Sequence, residues 1–146
     1  TIRPFLPPWS RIIVNDQWHR GMSSSIQLAL RSTRMESSGV LLMTCDQILI
    51  QTHHLERIVN LLLEGDSRSA CIASSYHGTF GIPCFIGANH FSDFEIIEGD
   101  QGAKPVLKTL NPILVPIEEA FYDVDTPDDF KSFLENKTFP YGNHEG

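Results

Sequence analysis

Nowhere in the 146 residues does an apolar run approach the roughly 20 positions needed to cross a bilayer, so no membrane anchor is visible in them. A basic cluster is missing too. Eleven Lys and Arg stand against eighteen Asp and Glu, a formal charge of −7, which argues against a surface for gripping nucleic-acid phosphates. A nucleotide held by a metal ion and backbone amides stays compatible with that balance. Cysteine is scarce: Cys45, Cys71 and Cys84 are odd in number, widely spaced and set in apolar surroundings. They fit small buried residues in a reducing cytoplasm, not a disulfide framework. The six His form no His-x-x-x-His face for zinc; His53 and His54 open a helix, His77 and His90 fall in loops, and solvated or capping roles suit them. No signal-peptide pattern, repeat or low-complexity tract occurs.

What remains is a chain 41% hydrophobic and 20% charged, the composition of one globular domain around one core. After an irregular lead-in with Pro4, Pro7 and Pro8, residues 11–15 read as a short strand ending at Asn15, and residues 16–21 as a loop. Ile26, Ala29 and Leu30 mark an amphipathic helix behind a serine-rich start. Ser23, Ser24 and Ser25 either cap that helix or, across Gly21, face a polar ligand with its first amides. The run from Gly39 to Met43 reads as a buried parallel strand carrying Asp46 to its C-terminal tip, where ligands sit in open α/β sheets. Asp at such a place also serves as a turn former or helix cap. Leu55, Ile58, Val59 and Leu62 make a second helical stripe, closed at Gly65 and Asp66, and residues 70–75 a further buried strand. Strand, helix, strand, helix, strand is the pattern of a helix-covered parallel sheet.

Residues 76–83 are rich in turn formers, with a strand expected from Cys84, just after Pro83, and Phe91 and Phe94 suggest a short helical piece. The stretch 98–104, with Gly99, Gly102 and Lys104, is either a surface turn or a phosphate-facing loop, though its spacing is not that of a P-loop. Residues 113–117 form a strand, Pro116 marking an edge. Thr126, Pro127 and Asp129 compose a helix start with a capping box, and Phe130, Phe133 and Leu134 its expected buried stripe. Helix-start chemistry leaves Asp123 and Asp125 unexplained. Two apart in an extended segment, they face the same way and repel unless a cation or solvent relieves them. The tail from 138 is expected to fray.

Gly21-Met22-Ser23-Ser24-Ser25-Ile26, Cys45-Asp46-Gln47, Gly81-Ile82-Pro83, Gly99-Asp100-Gln101-Gly102-Ala103-Lys104 and Asp123-Val124-Asp125-Thr126-Pro127-Asp128-Asp129 follow one another here in the order seen in one family. In these motifs the chain resembles the MobA-like NTP transferases, in particular the molybdenum cofactor cytidylyltransferase branch, from about Asn15 to Phe133. The resemblance implies a Rossmann-like three-layer α/β/α sandwich with a mostly parallel sheet. It implies transfer of CMP from CTP to a molybdopterin-type cofactor, with release of pyrophosphate and use of Mg²⁺. Asp46 and Asp125 would then bind the metal, with Asp123 in reserve, and an attacking phosphate, already anionic, would need no general base. Gly21, Met22 and Ser25 would lie against the base; Gly81, Pro83, Gly102 and Lys104 would border the second substrate or the phosphates. A molybdoenzyme or its maturation factor would be the downstream partner.

Two departures stand out. Ile48 replaces the Pro usual after the Asp-Gln pair, and nothing matches the family's opening Leu-Ala-Ala-Gly segment with its basic triphosphate loop. The first strand, loop and helix of the family's domain are therefore expected to be missing. This keeps two alternatives open, a guanylyltransferase for the same cofactor and a non-catalytic remnant or binding module.

Overall fold

The computed structural model describes residues 3–33 and 37–135; the tail from 138 lies outside the described residues. Four strands form one sheet in the order β1 (Gly39–Leu42), β3 (Thr79–Gly87), β2 (Cys71–Tyr76), β4 (Ile113–Pro116). Strands β1, β2 and β4 point the same way, and β3 runs against both of its neighbours. The C-terminal ends of the three co-directional strands therefore share one edge of the sheet, the edge that matters below.

Alternation of side chains along the strands builds the layers. Val40 and Leu42 of β1, Cys71 and Ala73 of β2, and Cys84 and Ile86 of β3 meet Ile26 and Leu30 of α1 (Met22–Arg31), Phe94, and Val106 and Leu107 of α3 (Lys104–Leu110) on one face. Leu41, Ile72 and Phe85 turn to the other face, against Ile58 of α2 (Thr52–Leu62) and Ala120. The result is the expected three-layer α/β/α arrangement with a cluster on each side of the sheet. Ile72, Ile86, Leu107 and Phe94 are fully buried, and burial of each such side chain stabilises the fold by about 1.5–3 kcal/mol.

Several local expectations need correction. Residues 11–15 are not a strand; Ile12, Ile13 and Val14 are exposed, and among the described residues no strand lies beside them to complete a ladder. Instead Asn15 donates to the Ser24 and Ser25 hydroxyls at 2.9 Å each and fastens the start of α1. β1 is a half-buried edge strand paired antiparallel with β3, not an interior one flanked by parallel neighbours. β3 begins at Thr79, ahead of Pro83, because a two-residue turn with positive φ at His77 and Gly78 folds it back on β2. Cys45 is exposed, while Cys71 and Cys84 are buried as expected. On α2 it is His54, not Val59, that shares the buried face with Ile58. Helix α4 (Pro127–Glu135) has its capping box, with the Thr126 amide donating to Asp129 Oδ2 at 2.8 Å and the Asp129 amide to Thr126 Oγ1 at 3.1 Å. Its apolar stripe, however, leaves Phe130 and Leu134 about half exposed, since no described element packs over them.

Candidate active site

The chain leaves β1 through Met43 and Thr44 and turns at Asp46, whose carbonyl accepts the Ile48 amide at 2.9 Å. The same carbonyl accepts the Val124 amide at 3.1 Å. This main-chain link places the Asp46 turn against the 123–125 segment, and so gathers three carboxylates from two distant parts of the sequence. Asp46 Oδ1 is sealed from solvent and meets no hydrogen-bond donor among the described residues. The Asp123 carboxyl is raised above its ordinary pKa by burial first, then by the charges of Asp46 and Asp125, against a lowering by the nearby Gln47 amide. The repulsion expected of Asp123 and Asp125 is therefore present, with Asp46 the stronger neighbour, and the Gln47 amide offsets part of it.

Such a donor set fits a hard divalent cation. Among the described residues no three His, Cys, Asp or Glu side chains converge closely enough to enclose a metal unaided. Mg²⁺ does not require that, because it takes one or two carboxylates and completes its octahedron with water and phosphate oxygens.

Beside the carboxylates lies a cavity of about 340 Å³, reached from β1 by Leu42, Met43 and Thr44. Met22, Ser25, Gly81, Gly102 and Lys104 all line it, so residues drawn from three separate motifs share one wall. The interior is mostly apolar, with Ile26, Phe80, Ile82 and Leu107 behind Met22, a surface suited to a flat ring. Lys104 is the cation at its mouth and donates to the Thr79 hydroxyl.

Gly21 and Pro83 lie outside that wall. Gly21, at φ 93°, supports the site from behind, since a Cβ there would come within 2.3 Å of the Gly99 backbone. The Ser23 amide donates to the Gly99 carbonyl at 3.1 Å, which holds the 98–104 loop on α1. Pro83 is fully buried within β3, and its carbonyl accepts the Ser74 hydroxyl at 2.7 Å.

Two contributors escaped sequence reasoning. Tyr76 lines the cavity and faces Asp123, and its phenol pKa is raised by burial, by Asp123 and by Cys84. Gly81 makes its position possible, because a Cβ there would sit 2.6 Å from the Tyr76 hydroxyl. Gln47 is buried, and its amide donates to the Ala120 carbonyl at 2.7 Å and the Ile82 carbonyl at 3.3 Å. The Asp-Gln pair was visible in the sequence, but nothing local to Gln47 announces contacts 35 and 73 positions away, nor does anything local to Tyr76 announce Asp123.

With this geometry in view, comparison with known proteins is decisive for the family: the MobA-like NTP transferase domain matches residues 3–113. The chain belongs to the MobA-like NTP transferase family. It is 26% identical over 133 residues to the purine catabolism protein PucB of Bacillus subtilis (strain 168), covering 87% of this chain and 62% of PucB. The chain thus spans less than two thirds of that relative. Rv0371c from Mycobacterium tuberculosis H37Rv superposes with a TM-score of 0.67 at 23% identity, over 91% of this chain and 69% of that one. Its complex with manganese gives 0.68 at 20% identity, over 92% and 72%. These two likenesses show that the MobA-like fold is shared. Among the described residues no helix is long and apolar enough to cross a membrane.

Proposed function

We propose that this MobA-like domain serves a divalent-metal-dependent nucleotidyltransferase, which transfers CMP from CTP to a molybdopterin-type cofactor in the cytoplasm and releases pyrophosphate. The observation that carries the proposal is the gathering of Asp46, Asp123 and Asp125, with Asp46 Oδ1 buried and without a donor among the described residues, near an apolar, ring-sized cavity lined by Thr44 and Tyr76. Asp46 and Asp125 hold the ion, with Asp123 the reserve ligand. The manganese complex of Rv0371c supports the use of a divalent ion on this fold. Mg²⁺, when bound, supplies positive charge that offsets the charge developing on the α-phosphate.

The protein's own residues bind and orient. The cavity takes the planar ring of a substrate and excludes water from it; Met22 and Ser25 contact the base, while Gly81, Gly102 and Lys104 border the acceptor or the phosphates. Lys104 contributes a charge toward phosphate oxygens. The acceptor's terminal phosphate attacks in line as an anion, so no side chain has to remove a proton from it.

The test is pyrophosphate release by the purified protein given Mg²⁺, the molybdenum cofactor and CTP or GTP in competition. CTP is expected to be consumed first, and Asp46→Asn to slow release at least roughly 100-fold. Preference for GTP would make the protein a guanylyltransferase for the same cofactor. Nucleotide-independent binding of the cofactor without turnover would make it a binding module. Full turnover in the Asp46→Asn protein would remove that carboxylate from the chemistry.

A further inference from the structure

Two neighbouring acceptors, Asp46 Oδ1 and Gln47 Oε1, are buried without a donor among the described residues. An acceptor sealed from water without a partner keeps its full desolvation penalty, so a pair side by side needs a reason. The two carbonyls fix the orientation of the Gln47 amide, because reversing it would point its oxygen at the oxygens of Ala120 and Ile82. Those two carbonyls belong to different elements. Ala120 sits in the 3₁₀ turn Glu118–Phe121 directly before Asp123, and Ile82 belongs to β3 and lines the cavity. A single side chain thus ties the Asp46 turn to the segment carrying Asp123 and Asp125 and to the cavity wall, beside the main-chain bond from the Val124 amide to the Asp46 carbonyl at the same junction.

We propose that Gln47 is the positioning residue that fixes Asp46 against the Asp123 and Asp125 segment and thereby sets the affinity of the site for a divalent ion. The proposal rests on the assignment of those carboxylates to a metal given above. Its Nε2 does the anchoring, and its Oε1, which has no donor among the described residues, would be free to accept from water held near the ion. Partners that orient metal ligands in this way typically govern affinity strongly while touching the metal only through others.

Mn²⁺ titrations followed by electron paramagnetic resonance test this in the wild-type, Asp46→Asn, Gln47→Met and Gln47→Asn proteins, each with a thermal melt in EDTA. Met keeps the length of the side chain without donors; Asn keeps the amide but falls one methylene short of Ala120. Both Gln47 variants are expected to bind Mn²⁺ about 10–100-fold more weakly at temperatures where the EDTA melt shows them folded. A merely structural role would lower the melting temperature and leave the affinity of the folded molecules unchanged. That result overturns the proposal while leaving the metal site standing. Failure of both variants to fold makes Gln47 a folding residue and also overturns it. Wild-type protein that does not bind Mn²⁺, or Asp46→Asn protein that binds it normally, sinks the metal assignment and this proposal together.

Discussion

His54 illustrates how one side chain supports the site from outside it. Its Nδ1 accepts the Gln51 amide at 3.1 Å, closing the cap of α2, and its Nε2 lies 3.5 Å from the Glu119 carboxylate, next to the turn that leads to Asp123. Burial lowers its pKa, against the pull of Glu119 and with small help from His53 and Arg57. A base with a folded pKa below its unfolded value of about 6.5 takes its proton first in the unfolded chain, so stability falls as pH drops below that value. The melting temperature should therefore decline from pH 7 to pH 5. Gln at position 54 can accept the same amide without titrating, so His54→Gln should flatten that decline; equal slopes would contradict the assignment. Thiol reactivity offers a second check at this scale. Burial pushes Cys71 up to about 11 and Cys84 up to about 12, whereas Cys45 is exposed. Iodoacetamide should modify Cys45 in the native protein and reach the other two only after unfolding. The sequence placed the three cysteines together as buried residues; an apolar neighbourhood along the chain does not reveal that Cys45 lies past the end of β1, where the sheet no longer covers it.

Among the elements, the helix starts were legible and the strand neighbours were not. Thr126, Pro127 and Asp129 fix the start of α4 through contacts within four residues, which a sequence displays directly. Removing that cap with Thr126→Ala should cost about 1 kcal/mol in urea denaturation if α4 unfolds with the domain. The hairpin joining β2 to β3 was hidden because its turn is His77-Gly78 in place of the more familiar Asn-Gly, and because Pro83 suggested a later start. The apolar run of β1 reads as a buried parallel strand only while that hairpin is hidden, since β3 stands between β1 and β2. Strands in the interior and at the edge of a sheet can carry the same apolar run, so burial depended on a pairing the local pattern does not contain. Gly21 is the most demanding of the loop positions. Ala there must hold φ 93° and push against the Gly99 backbone, so Gly21→Ala should destabilise the protein by about 1–3 kcal/mol from backbone strain alone, read from the urea midpoint. A wild-type midpoint would mean that the 98–104 loop does not rest on α1 as described.

At the scale of the whole molecule, the candidate site follows from the shared direction of β1, β2 and β4. Their C-terminal ends deliver Asp46, Tyr76 and the segment leading to Asp123 and Asp125 to one edge, and the opposed β3 enters there with Thr79, Phe80 and Gly81. Crevices beyond the carboxyl ends of strands are where open α/β sheets bind ligands, and both the cavity and the carboxylates lie there. Asp46, Gly81, Asp123 and Asp125 stood in motifs visible in the sequence, while Tyr76 and the cavity joining Met22, Gly81 and Lys104 required the folded sheet. A ligand bound only by the folded state should raise stability, by about 2.7 kcal/mol when free Mn²⁺ is at 100 times its dissociation constant. The most direct measurement is manganese anomalous scattering from crystals soaked with Mn²⁺ and CTP. The account predicts a peak beside the Asp46 carboxylate, on the side that faces Asp123 and Asp125. A nucleotide bound with its metal away from Asp46 would contradict it.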